Sequence, residues 1–439
     1  MQSEELIPDL FRTEYRKIVA VLCKHFGFDQ MEIAEDLTSD TFLTAAETWG
    51  LKGVPANPTA WLYSVAKNRA KNYLKRNHIF QSKLVPGLKG EAAALGGATV
   101  PGAAGSGAAG SIEDEIDLSP QNINDSQLQM MFAICHPAIS PEAQVGLSLR
   151  ILCGFGIEEI ADAFLTNKET INKRLFRAKE KIREEKIRIE LPGPAEIESR
   201  LAAVLTTIYL LFNEGYYSLS QNASLRKDLC FEAIRLCYML IEIPEPREAP
   251  TNFSTNVPEA NALLSLMLFH ASRFEARLDK NGELVLYGQQ DTSLWNSDLI
   301  SKGAYFLNRA ATGNNLSKYH LEAGIAYWNT QKDDTKEKWS PILQLYDLLL
   351  QVEYSPMAAL NRTYALSKVH GKEEAILEAE KLKLEGNHFY FALLGDLYIQ
   401  IDNEKARAYL EKALALSKVE GERLALQKKI DGITGAAGV

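Results

Sequence analysis

The sequence predicts an all-α protein. Residues 1 to about 88 carry apolar residues at helical spacing and few strand-like alternations. A second block, 125–190, ends in a helix whose Ile171, Leu175, Ala178 and Ile182 recur at intervals of 4, 3 and 4. Beyond 195 the chain is again helix-like, with apolar stripes and hairpin-like pairs near its end.

With 439 residues, 46% of them hydrophobic, the chain has material for two to four cores. Five blocks follow from composition and chain breakers: 1–88, a linker at 89–124, 125–190, 195–355 and 356–439. The linker contains the Gly/Ala/Ser run of 89–111 and an acidic patch with Glu113, Asp114, Glu115 and Asp117. The segment LPGP at 191–194 breaks the helix before it. Turns are expected at 244–258 and 278–284.

The opening MQSEELIPDL has early acids and no apolar run of signal-peptide length. The uncharged stretch between Arg200 and Glu214 is shorter than the roughly 20 residues a bilayer needs. The cysteines Cys23, Cys135, Cys153, Cys230 and Cys237 form no CxxC pair. Reduced thiols in a cytoplasmic protein, with no membrane association, are the expectation.

A net charge of −9 argues against a simple nucleic-acid binder, but the charge is segregated. Residues 1–50 hold a surplus of acid. Residues 51–88 contain no Asp or Glu, yet hold Lys52, Lys67, Arg69, Lys71, Lys75, Arg76 and Lys83. The helix at 61–77 places cations beside Asn68 and Asn72. Cations neutralise phosphates, and Asn pairs with base edges. Trp61, Tyr63 and Tyr73 offer stacking surface for unpaired bases. The alternative is a solvated basic helix whose aromatics are core.

Residues 156–186 fit a helix-turn-helix, with Ile160, Ala161 and Phe164 on the first helix and a turn at 165–167. Lys168, Glu169, Thr170, Asn172 and Lys173 sit where a recognition helix meets the major groove. Arg174, Arg177 and Lys181 lie further along, where phosphates are held. Leu165 occupies a turn position that many such motifs give to Gly. An ordinary helical hairpin with a basic face is the alternative.

Together these blocks resemble one family. The run AEDLTSDTFLTAAETW (34–49), then PANPTAWLYSVAKNRAKNYLKR (55–76), looks like domain two of extracytoplasmic-function RNA polymerase sigma factors, and 156–186, with RLFRAKEKIR at 174–183, like their domain four. The segments 125–140 and 200–218 resemble the subgroup with a tetratricopeptide-like C-terminal extension.

The resemblance implies a non-enzymatic protein that binds core polymerase and directs transcription initiation. Glu35, Asp36, Asp40 and Phe42 would dock on the clamp helices of the largest subunit, acids meeting a basic surface around an apolar anchor. The flap of the second-largest subunit is a further implied contact. Trp61, Asn68, Arg69, Lys71, Asn72, Lys75 and Arg76 would meet the −10 element. Lys168, Glu169, Thr170, Asn172, Lys173, Arg174 and Arg177 would meet the −35 element. Elements roughly 17 base pairs apart span about 58 Å. A linker of about 35 residues relaxes to roughly 33 Å and stretches to about 120 Å. A duplex-only regulator with a protein-binding repeat domain is the rival reading.

Near the C-terminus, Phe391, Leu394, Gly395 and Tyr398, then Ala406, Leu410 and Ala413, fit one tetratricopeptide unit, with a weaker one at 355–382. Stacked helical hairpins make concave surfaces that bind peptides or partners, and a purely structural cap is the alternative. No nucleophile triad, phosphate loop or paired catalytic carboxylates are present, and no metal or cofactor is expected. His136 lacks further ligands nearby, and His270 lies in an apolar run. Glu214, Asp291 and Trp295 are the residues of an alternative small-ligand pocket.

Overall fold

The computed structural model describes residues 3–79, 116–164, 166–193, 195–217, 223–242, 254–277, 285, 287–313, 315–331, 333–417 and 420–435. The expected linker run at 89–111, Lys83, the acids Glu113, Asp114 and Glu115, Leu165, and the expected turns at 244–253 and 278–284 lie outside the described residues. Among the described residues every regular element is a helix. The all-α expectation holds.

The first compact unit runs through Glu232. It opens with α1 (Ser3–Phe26), α2 (Met31–Lys52) and α3 (Pro58–Ile79). Tyr15, Ile18, Val19 and Leu22 of α1 are buried, as are Ala34, Phe42, Ala45 and Trp49 of α2 and Leu62, Ala66 and Ala70 of α3. Each set repeats at three or four residues, so each helix turns one stripe inward. Gly53 ends α2 with φ 83°, a left-handed position that L side chains resist. Asn57 then opens α3: its Oδ1 accepts from the Ala60 amide at 3.0 Å, and Pro58 fills the first turn, where no amide is needed.

The unit continues with α4 (Pro120–Ile134), α5 (Pro141–Leu147), α6 (Ile157–Ala163) and α7 (Lys168–Glu184). Asp117 of the acidic patch is exposed. Its carboxylate accepts from the Ser119 amide at 2.8 Å and hydroxyl at 2.9 Å, ordering the turn that enters α4. The long α8 (Ile197–Tyr217) follows the Pro/Gly break at 191–194. That break ends a helix but not the unit. Arg200 of α8 donates to the Phe132 carbonyl at 2.7 Å, and the Thr207 hydroxyl to Gln144 at 2.8 Å. Gln144 in turn donates to the carbonyls of His136 and Ile139, at 3.0 and 2.9 Å.

The next helix, α9 (Ala223–Glu242), contributes its start to the first unit and Ala233–Ile241 to the second. The second unit centres on α10 (Pro258–Ala271), whose side chains are almost all buried. Around it come α11 (Ser297–Ala310), α12 (Lys318–Trp328) and α13 (Lys336–Val352). There follow α14 (Pro356–His370), α15 (Lys372–Leu382), α16 (His388–Tyr398), α17 (Asn403–Leu416) and α18 (Glu420–Gly435). The residues singled out in α16 and α17 share one buried core.

Gly395 sits where α16 crosses α17 most closely. A β-carbon there would lie 2.6 Å from Leu410 Cγ and 3.3 Å from the Ala406 carbonyl oxygen. Gly395→Ala is expected to cost about 1–3 kcal/mol through overpacking and to lower the thermal midpoint. Gly432→Ala, where a β-carbon meets nothing within 4 Å, should not lower it. Equal midpoints for the two variants would refute this account of the crossing.

Candidate nucleic-acid and polymerase interface

The expected −10 residues divide into two groups. Ser64, Asn68, Asn72, Lys75 and Arg76 form one exposed face of α3, with Lys71 half-buried beside it. Residues 64, 68, 72, 75 and 76 fall within a narrow arc of a 3.6-residue helix, so the two Asn and two cations point together into solvent. Arg69 and Trp61 are placed otherwise. Arg69 bridges back to α2, with Nη1 3.1 Å from the Asp40 carboxylate and Nη2 2.7 Å from the Thr44 hydroxyl. Trp61 packs edge-on against buried Trp49, ring centroids 5.4 Å apart. The Tyr63 hydroxyl donates to Glu14, and burial with that carboxylate raises its pKa. Tyr73 donates to Gln30 at 3.3 Å and packs on Phe26. These aromatics are spent on the three-helix core, because they lie on or beside its buried stripe.

The acidic helix requires one correction. Phe42 is only 4% exposed and packs against Phe11 and Tyr15, so it offers no outward anchor. Its register is that of Thr38, Ala45 and Trp49, which are all buried. One residue on, Leu43 is 59% exposed and shares a face with Asp36, Asp40 and Glu47. The buried stripe was readable from spacing alone and would have moved the anchor from 42 to 43. Leu51, in the last turn of α2, and Val54, just beyond its end, are also exposed.

Glu35 is not free either. It is half-enclosed between α2 and the later helices, with Arg150 Nε at 3.2 Å and Lys179 Nζ at 3.3 Å. Arg183 lies 3.9 Å from both Asp29 and Glu32. The acid-rich end of α2 thus faces cations that belong to α7 and to the turn before α6.

The pair α6 and α7 packs as expected along Ile160, Ala161, Ile171, Leu175, Ala178 and Ile182, all buried. Asn167 starts α7, its Oδ1 accepting from the Thr170 amide at 2.8 Å. Lys168, Glu169, Thr170, Asn172, Lys173 and Arg177 are exposed. Arg174 is half-buried, with its guanidinium carbon 5.4 Å from the centre of the Phe164 ring. Lys168 pairs with Glu158, and Lys173 with Glu169 at 2.7 Å; both pairs are largely exposed and so are worth little. A groove of about 550 Å³ runs between α7 and residues 138–143. Lys173, Arg174, Arg177 and Lys181 line it above an apolar floor of Ala138, Ile139, Ala143 and Ala178. Phe176, 59% exposed on the same helix, was not singled out from sequence, and it breaks the polar pattern there.

Helices α8 and α9 reach both halves of this unit. Asp228 and Glu232 of α9 pair with Arg12 and Arg16 of α1 at 3.2 and 2.6 Å. Glu214 of α8 feels Arg174; burial raises its pKa and the Arg174 charge partly offsets the rise. Glu214 belongs to the first unit, and Asp291 and Trp295 to the second. Among the described residues no cluster of metal-ligating side chains occurs, and no helix is long and apolar enough to cross a membrane.

Residues 10–78, which cover most of α1 and nearly all of the α2 and α3 described above, match the model of the sigma-70 region 2 family. That match supports a sigma factor acting in transcription initiation, with core RNA polymerase and promoter DNA as partners. Residues 200–311 match a family of unknown function, DUF6596. The chain belongs to the family of the uncharacterized protein R00370 of Rhizobium meliloti (strain 1021), with which it is 30% identical over 412 residues, 92% of this chain and 90% of that one. No solved structure matches it.

Proposed function

We propose that this chain is an extracytoplasmic-function sigma factor. Residues 1–88 would bind core polymerase and the −10 element, and 125–190 would read the −35 element as a helix-turn-helix. The linker at 89–124 would span the promoter. The observation that carries this reading is the pairing of two exposed faces in one unit: Asn68, Asn72, Lys75 and Arg76 on α3, and Lys168–Arg177 on α7. One offers base-edge partners and phosphate cations to an opened strand; the other offers a capped, basic helix to a major groove. Asp36, Asp40 and Leu43 would meet the clamp helices of the largest subunit, and the flap of the second-largest would meet the later helices.

The extension, from 195 onward, would regulate this activity and bind a protein partner through its tetratricopeptide-like hairpins. Support for regulation comes from α8 and α9, which hold α1 through Arg12 and Arg16 and stand beside Arg174 of α7. The reading is tested by adding the purified full chain to core polymerase with fragments of the source genome as templates. Transcripts starting at a small set of sites, absent with core alone, are expected. A protein that binds duplex DNA yet neither binds core nor starts transcription would instead be a duplex-only regulator.

A further inference from the structure

The turn after α10, the segment 287–296 and the start of α13 bring two buried cations onto one aromatic ring in the second unit. Arg273 is 8% exposed and Lys338 is 4% exposed. The guanidinium carbon of Arg273 lies 5.4 Å from the centre of the Tyr287 ring, and Lys338 Nζ lies 5.0 Å from it. Trp295 stacks on the same ring, with centroids 6.2 Å apart and planes 29° from parallel. Lys338 donates to the Tyr287 hydroxyl at 2.8 Å and to the Gln331 carbonyl at 3.0 Å. Arg273 Nη2 approaches His270 Nδ1 at 3.3 Å.

Among the described residues neither cation forms an ion pair. Asp334, the carboxylate whose charge Lys338 influences, is engaged by Lys368 at 2.7 Å and by the Trp339 indole. His270 cannot share the charge. Burial, with Arg273 and Arg277 close by, holds its pKa well below the usual imidazole range, so the ring is neutral. Among the described residues three buried polar atoms of this cluster lack a hydrogen-bond partner: Arg273 Nε, Gln290 Oε1 and Trp295 Nε1. Desolvating two cations outside any ion pair is costly, and one ring face recovers only part of the loss. Buried polar atoms without partners are uncommon in native folds.

We propose that this cluster binds a small oxyanion, a carboxylate or phosphate group, on a molecule that also carries a hydrogen-bond donor. Arg273 Nε supplies one arm of the planar fork that grips an oxyanion through two oxygens. The remaining proton of Lys338 adds a point charge, and Trp295 Nε1 adds a neutral donor. Gln290 Oε1 is an acceptor and selects for the extra O–H or N–H, as on a monoprotonated phosphate, a hydroxy acid or an amino acid. The partly exposed Tyr287, Gln290 and Trp295 leave an approach from solvent. The site is independent of the sigma-factor reading and would give the extension a chemical input.

The test uses the full chain, with thermal unfolding and tryptophan emission followed against inorganic phosphate, glycerol phosphate, L-lactate and L-serine. Chloride at matched ionic strength is the control. A saturable rise of the midpoint by several degrees is expected with one class. Phosphates alone acting would identify a phosphoryl ligand, and carboxylates alone acting a carboxylate ligand; either supports the site. Trp295→Phe and Gln290→Ala, which retain both cations, should each weaken binding roughly tenfold, and Arg273→Gln should abolish it. No shift beyond chloride with any of the four would overturn the proposal. So would a shift that survives unchanged in both Trp295→Phe and Gln290→Ala, whether or not Arg273→Gln folds.

Discussion

Reversing charge at Lys173 and Arg177 is expected to weaken binding to a −35 duplex and to flatten its salt dependence. Both side chains are exposed, line the cationic groove and lie outside the buried stripe of α7, so the substitutions leave the packing of α6 on α7 intact. Lys173 is paired with Glu169, but that pair is 65% and 76% exposed and gives way readily to a phosphate. Each lost phosphate contact lowers the slope of log K against log salt by about 0.9. Two contacts amount to about 1.8, so between roughly 50 and 200 mM salt the parent should lose about twelvefold more affinity than the double variant. The measurement is a salt titration of both proteins on one promoter duplex. Parallel lines would remove these two residues from the phosphate contacts.

Much of that surface was legible before any coordinates. The 4-3-4 spacing of Ile171, Leu175, Ala178 and Ile182 defined the inner face of α7, and its complement is the exposed cationic face. In α3, Asn68, Asn72, Lys75 and Arg76 lie on the exposed face, whereas Arg69, which the resemblance groups with the −10 contacts, falls at the spacing of Ala66 and Tyr73, beside the buried stripe. Arg69 instead closes a bond network to Asp40 and Thr44, 29 and 25 residues earlier. Charge says that a side chain seeks a partner; only tertiary structure says whether that partner is DNA or the neighbouring helix. Phe42 failed for a different reason. The family resemblance implies an anchor at Phe42, whereas its spacing to Ala45 and Trp49 marks it as core. Long-range contacts were out of reach altogether. Nothing local signals that Glu35 meets Lys179, 144 residues away.

That contact supports the second large effect. The Glu35 side chain is 13% exposed, Lys179 16% and Arg150 28%. Enclosed to this degree, the three charges depend on one another. Removing the carboxylate charge leaves two partly desolvated cations facing each other without the Glu35 countercharge, and such losses cost about 3–5 kcal/mol when fully buried and less here. Glu35→Gln is therefore expected to lower the unfolding midpoint of the first unit by several degrees. Lys179→Met should do less harm, because Arg150 still neutralises Glu35. Coupling between the two substitutions of roughly 0.5–3 kcal/mol is expected from a double-mutant cycle, and additive effects would mean that the pair contributes nothing. On the proposed reading the same pair has a functional consequence. In the free chain Lys179 occupies a carboxylate on the helix that is to meet core polymerase, so binding must first exchange one cationic partner for another. Lys179→Met should then raise affinity for core severalfold, while Glu35→Gln should lower it. Equal core affinity in parent and Lys179→Met would show that the α2–α7 contact does not compete with the polymerase.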